Sequence, residues 1–340
     1  MRRSFFAILG YTRTKHHAAW KGEKRMQTQL TDQERVALAK LEYQLLVPGQ
    51  PIKVGRYPLG QVLAHIYEPD GFQLFVIGPA VQPRELVLLF KGSSGLRKGN
   101  PTTWNDEWLA TNLPLLQALL RHQRHIPSQL QTAARVLNGL VAQYPRAKFF
   151  IYGHSLGAIN AQFALANCQH LGRIKHAWLY EGANLYPLLT TRERRRVQKY
   201  RARIDNYIDI FDPVTLGYTG PTALVGRLRY VASERCLLPI SQHMWAGYRF
   251  NAAGQLQLRT LDADFWRTTQ REQELINTIA TLQQWEPTRR PAAQWAVALR
   301  ASLPAELSLA QLIEAWGATG WQRPPHWCQF PEWWRERKET

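Results

Sequence analysis

Cysteine is nearly missing from this chain. Cys168, Cys236 and Cys328 are the three in 340 residues, no two are spaced C-x-x-C, and no histidine cluster accompanies them. A disulfide framework and a structural zinc both fall away as sources of stability. Long apolar runs are also lacking. Nothing approaches the roughly 20 apolar residues that a helix needs to cross a bilayer. The start, MRRSFFAILGYTRTKHH, has a basic opening but an apolar stretch of only about eight residues, followed by basic residues and not a small-residue cleavage site. The expectation is a chain without a classical secretory signal, cytoplasmic or peripheral to a membrane by default, with export by another route left open. Met26 is a second candidate start, because Thr31 and Glu34 just beyond it have the spacing of a helix capping box. Acidic charge is scarce too: 25 Asp and Glu face 43 Lys and Arg, a net charge of +18. Such a balance favours anionic surfaces without specifying a fold. Internal repeats and low-complexity tracts are absent from the sequence.

What is present is 45% hydrophobic residues, ample for a large core. Short apolar β-rich runs recur: QVLAHIY near 61, FQLFVIG near 72, ELVLLF near 85, KFFIYG near 148, HAWLYEG near 176, RIDNYIDIF near 203 and RLRYVAS near 227. Between several of them lie segments with helical periodicity, notably PSQLQTAARVLNGLVAQY and LGAINAQFALANC. Apolar strands alternating with helices predict an α/β protein, with a mostly parallel central sheet covered by helices on both faces. Three regions are expected: a basic extension over 1–30, a core over 31–255, and a helical extension over 256–340. The last is rich in tryptophan and arginine, with seven of the 13 tryptophans at Trp285 or beyond. Its indoles are expected to pack onto the core, the alternative being a surface at the boundary of water and lipid.

The stretch IYGHSLGAIN has the pattern G-x-S-x-G around Ser155. With 22 glycines and nine serines in the chain, chance would supply about 0.04 copies on independent composition. The flanks also fit. A nucleophile elbow needs a strand before its serine and a helix after it, with small neighbours at the strained turn; KFFIY and LGAINAQFALANC meet both needs. A serine hydroxyl requires a histidine to take its proton and a carboxylate to orient that histidine, in the chain order serine, acid, histidine. Asp212 ends a strand-like run and is the candidate acid, with Asp209 as a rival expected inside the strand. Only His243 and His326 follow, and His326 lies in the tail, so His243 is the candidate base, expected in a loop after a strand and a turn. His154 precedes the serine and is read as packing; His170 and His176 as surface or core residues. The oxyanion donors would be the backbone N–H of Leu156 and, from the end of the ELVLLFKGS strand, Ser93.

These pieces resemble the class 3 lipases, an α/β-hydrolase family of triacylglycerol lipases and related phospholipases. The resemblance rests on LLFKGSSGLRKGNPTTWNDEW, FFIYGHSLGAINAQFAL, IDIFDPV and QHMWAGYRF, and covers roughly residues 60–250. It implies Ser155 as nucleophile, Asp212 as acid, His243 as base, and Ser93 with Leu156 as oxyanion donors. It further implies a lid over 94–108, with Trp104 and Trp108 meeting lipid, and no metal or other cofactor. Lys91 stands where the family usually has arginine, and the acid and base segments match it only loosely.

The implied activity is hydrolysis of carboxylic esters of lipids, acylglycerol or phospholipid, through an acyl-enzyme. Thioesterase, peptidase or acyltransferase chemistry on the same triad stays open, as does a non-catalytic basic protein on a hydrolase fold. The block TRERRRVQKYRAR, 191–203, is a dense positive segment expected on a helix. It could be a solvated face or could attract anionic lipid headgroups, giving peripheral association with an anionic membrane. No nucleic-acid motif is found, so no nucleic-acid partner is expected. Oligomeric state is not legible.

Overall fold

The apolar runs become strands because their side chains are buried on both faces. A computed structural model describes residues 29–93 and 126–269, apart from positions 213, 216, 219, 237, 238, 264 and 268. The expected lid over 94–108 with Trp104 and Trp108, the basic extension up to residue 28, His326, Cys328 and the chain beyond 269 lie outside these residues. Eight strands form one sheet in chain order: β1 (Pro51–Val54), β2 (Tyr57–Tyr67), β3 (Gln73–Gly78), β4 (Glu85–Phe90), β5 (Lys148–His154), β6 (Ile174–Tyr180), β7 (Ile204–Ile208) and β8 (Arg227–Tyr230). β1 to β4 pair antiparallel and β4 to β8 pair parallel. Strand β1 is an edge strand that hydrophobic patterning did not pick out, since its four residues offer only Ile52 and Val54 to the core.

Three crossover helices connect the parallel strands: α2 (Ser128–Gln143), α3 (Leu156–Asn167) and α4 (Thr191–Lys199). Because strand order follows chain order and such crossovers are right-handed, all three come to one face of the sheet. There Leu86, Leu88, Phe90, Phe149 and Ile151 pack against Leu137, Ala161 and Val197. The alternate residues Val87, Leu89, Phe150 and Tyr152 point to the opposite face, as the two-residue period of a strand requires. That face is covered by one helix, α1 (Asp32–Lys40), together with an irregular segment containing Trp245, Tyr248 and Leu256. Among the described residues, helices thus lie on both faces, with α1 on the second.

Helix α1 begins at the expected capping box, with Thr31 Oγ1 accepting from the Glu34 N–H and Glu34 accepting from the Thr31 N–H. Its start is tied to a distant part of the chain, since Gln33 donates to Gly254 O and Asp32 accepts from the Leu256 N–H. Phe265 then buries itself against Tyr230, with ring centroids 4.8 Å apart. Among the described residues, no helix is long and apolar enough to cross a membrane.

The basic block forms α4 and a 3-10 turn at Arg201–Arg203, and four of its arginines bond backbone carbonyls. Arg194 donates to Pro187 O at 2.7 Å, Arg196 to Ala166 O at 2.7 Å, Arg201 to Pro221 O, and Arg203 to Gly172 O and Ile174 O at 3.3 Å. These guanidinium groups satisfy carbonyls left over at helix and loop ends. Arg192, Arg195 and Lys199 remain exposed along one side of α4.

Two glycines let α3 press onto the sheet. A β-carbon on Gly153 would lie 2.7 Å from Gly157 O, and one on Gly157 would collide with the Phe90 carbonyl at the end of β4. Gly157→Ala is expected to lower stability by roughly 1–3 kcal/mol or more. Gly172→Ala, whose new methyl would meet only the Tyr200 hydroxyl at 3.5 Å, should leave the thermal midpoint nearly unchanged. Parallel melting curves of the two variants check this.

Candidate active site

The strand-turn-helix geometry at Ser155 follows from where β5 stops and α3 begins. Ser155 has φ 54° and ψ −127°, a region that side-chain-bearing residues rarely enter, at a cost of about 1–3 kcal/mol. Its N–H donates to Tyr180 O at 2.9 Å and its C=O accepts from the Ile159 N–H at 3.2 Å. Both bonds hold the turn in place. No side chain caps the start of α3, so the first amides of that helix point toward the space above Ser155.

The candidate acid lies past the end of β7. Asp212 is 2% exposed and its Oδ2 is 2.7 Å from His243 Nδ1, while Oδ1 accepts from the Val214 N–H at 2.7 Å. His243 ends a short helix, α5 (Pro239–His243), where a plain loop was expected. The proline-led segment makes one tight turn before the chain reverses at Trp245, which has φ 63°. His243 lies against His154, the residue preceding Ser155, with ring centroids 4.6 Å apart.

Asp209 does not sit inside the strand. β7 ends at Ile208, and Asp209 begins the turn beyond it. Its carboxylate is occupied: Oδ1 accepts from Ser233 Oγ and the Phe211 N–H, and Oδ2 from Gln242 Nε2. His176 bonds Asp205 at 2.7 Å near the other edge of the sheet, and His170 is exposed.

His154 does more than fill space. It is fully buried, its Nε2 is 2.8 Å from His243 O and its Nδ1 is 2.6 Å from Tyr43 Oη. A carbonyl can only accept, so Nε2 carries the proton and Nδ1 accepts from the tyrosine. Next to Tyr43, Glu42 is fully buried and its Oε1 accepts from the Gly92 N–H at 3.1 Å. Burial pushes the Glu42 carboxyl well above the usual carboxylate range, partly opposed by that bond. Ser93, the candidate oxyanion residue, follows directly and is 8% exposed, as is Ser155. The loop 91–93 abuts the turn, because a β-carbon on Gly92 would lie 2.9 Å from His154 O.

One more carboxyl stands nearby. Glu181 follows β6, is fully buried with φ 49°, and is bonded by Tyr248 Oη and by the Asp209 N–H. Burial, then the charges of Asp212 and Asp209, push it well above the carboxylate range. No catalytic motif singles out Glu181, Tyr248, Gln242, Glu42 and Tyr43. Glu181 had a signal, since it stands at the carboxyl end of a strand as Asp212 nearly does; the others had none.

A serine turn after β5 and a carboxylate after β7 stand at the carboxyl ends of the parallel strands, and an imidazole from beyond β8 bonds that carboxylate. The chain has the α/β-hydrolase fold. Solved structures similar to it include a triacylglycerol lipase from Penicillium expansum, at 15% identity over 59% of this chain and 78% of that one, with a TM-score of 0.33. A Rhizomucor miehei triacylglyceride lipase matches at 14% identity over 60% and 74%, with a TM-score of 0.33. A mutant form of MDLA from Penicillium cyclopium matches at 14% over 68% and 86%, with a TM-score of 0.36. No family model and no curated protein sequence matches the chain.

Within this hydrolase fold the His154 imidazole has a pH signature. Burial, and then the neighbouring His243, hold its pKa well below the ordinary histidine range. The unfolded chain therefore takes up a proton near pH 6.5, its usual value, that the folded chain refuses. This contribution to stability is full above about pH 6.5 and is lost as the pH falls below it. His154→Gln should lose less stability than the parent on acidification through that window. Melting temperatures measured in pH steps check it, and equal slopes for both proteins would contradict it.

Proposed function

We propose that the protein is a serine hydrolase of carboxylic esters, with Ser155 as nucleophile, His243 as general base and Asp212 as the orienting acid. The observation that carries this reading is the buried 2.7 Å contact between His243 Nδ1 and Asp212 Oδ2 beside a serine held at positive φ. An aspartate at Nδ1 selects the tautomer whose Nε2 is free to accept a proton, and it stabilises the imidazolium once formed. His243 takes the Ser155 proton as the hydroxyl oxygen attacks the ester carbonyl. The Leu156 N–H and Ser93 hold the oxyanion. The carbon–oxygen bond to the alcohol then breaks, and the alcohol leaves with the proton from His243. Water, deprotonated by the same imidazole, attacks the acyl-enzyme and releases the acid with Ser155 restored.

A fluorophosphonate probe is expected to label the protein at Ser155 and to leave Ser155→Ala unlabelled. Asp212→Asn should lower kcat on a p-nitrophenyl ester by roughly a thousandfold or more with little change in KM, because it disturbs the imidazole and not the binding of substrate. A labelled Ser155→Ala protein would place the chemistry elsewhere.

The substrate class in this proposal is a lipid ester, acylglycerol or phospholipid, following the motif resemblance. The exposed cations Arg192, Arg195 and Lys199 on α4 support peripheral binding to an anionic membrane, where each basic residue contributes roughly 1 kcal/mol near the surface. Cosedimentation with phosphatidylserine vesicles should be strong at low salt, fall steeply as salt is raised, and weaken when these three residues are replaced by glutamine. Equal binding to phosphatidylcholine vesicles would remove the electrostatic account.

A further inference from the structure

The turn that carries His243 is fastened at both ends to carboxyls outside the proposed triad. Just before His243, Gln242 Nε2 donates to Asp209 Oδ2 at 2.5 Å and to Glu234 O at 3.0 Å. Gln242 Oε1 accepts from the Cys236 N–H. Just after it, Tyr248 Oη donates to Glu181 Oε1. The two carboxyls are themselves joined, because the Asp209 N–H donates to Glu181 Oε2 at 3.0 Å. Asp209 spends its remaining capacity on Ser233 and Phe211, and the Glu181 N–H is fixed to Tyr207 O at 3.1 Å. A continuous bridge therefore runs from the ends of β6 and β7 to both sides of the imidazole.

Two extra carboxyls buried beside Asp212 are costly, and an apolar pair of similar size would pack without that cost. Their bonds go to the one segment whose placement sets the direction of His243 Nδ1. We propose that Glu181 and Asp209 are positioning residues that hold the 242–248 turn so that the His243 ring meets Asp212 in a single orientation. The proposal rests on the triad reading above. The groups facing Glu181 are Asp209 and Asp212 beyond β7, and Tyr248 on the turn. Tyr218 closes the far side, with its hydroxyl donating to Gly182 O. Burial, and then the charges of Asp212 and Asp209, push the Glu181 carboxyl well above the usual carboxylate range, which eases a third carboxyl into the cluster.

The test uses the full chain and the rate of fluorophosphonate labelling at Ser155, read separately from the fraction finally labelled. Glu181→Leu should slow labelling by about tenfold or more per folded molecule. Glu181→Gln, which keeps a neutral polar group of the same shape, should recover most of that loss. Tyr248→Phe removes one hydroxyl without emptying the core and should slow labelling several-fold. Combined with Glu181→Gln, it should cost less than the two single effects multiplied, as expected of residues sharing one contact. Labelling at the parent rate in Glu181→Leu and Tyr248→Phe, or a loss confined to the labelled fraction, would overturn the positioning role.

A second measurement does not depend on catalysis. A carboxyl held above its unfolded value near 4.3 stabilises the fold fully below that pH and progressively less as the pH rises toward the folded value. Glu181→Gln should therefore gain melting temperature relative to the parent as the pH rises above about 4.3. If the parent itself is not labelled at Ser155, the triad reading fails. The bridge is then judged on the melting series, where parent-like slopes in Glu181→Gln would overturn it.

Discussion

The Phe90 carbonyl at the end of β4 and the α-carbon of Gly157 occupy neighbouring space with no room for a methyl group between them. Nearly every feature of the site depends on that backbone contact. It lets α3 start directly behind Ser155, brings the loop of Gly92 and Ser93 against the turn, and forces the serine into a positive φ held by the Tyr180 and Ile159 bonds. The strain is local, and the surrounding sheet with its two apolar layers supports it.

Around this junction the chain gathers ionisable groups that burial would ordinarily exclude. His154 is kept neutral between Tyr43 and the backbone of His243, and Glu42 sits beneath Gly92. Glu181 and Asp209 anchor the far side. Each of these groups is bonded to backbone or side chain, so the cost of burial is partly offset. The result is a hydrogen-bonded layer beneath the Ser155 turn and the segment that carries His243.

Charge is distributed along the sheet as well. The carboxyls of Glu181, Asp209 and Asp212 lie at the carboxyl ends of the parallel strands, whereas exposed Arg84, Arg146, Lys148, Lys175 and Arg203 flank their amino ends. Several of the arginines in the 191–203 block also bond backbone carbonyls, which fixes where their charge sits.

Local chemistry alone determined much of this molecule. The seven apolar runs, the two helical segments, the Thr31–Glu34 cap and the G-x-S-x-G turn were all legible, because each is set by residues within a few positions of one another. Chain order also singled out Asp212 and His243, whose side chains lie 2.7 Å apart. Tertiary structure decided what depends on distant pairs. It put the three described crossover helices on one face, gave His154 a hydrogen-bonded place, drew Tyr43 and Glu42 under the loop of Gly92 and Ser93, and set Asp209 beyond β7 as the partner of Gln242. Partners separated by 24 to 111 positions, such as Ser233 with Asp209 and Tyr43 with His154, leave no periodicity in the chain. Their contacts exist only once the sheet has closed around them.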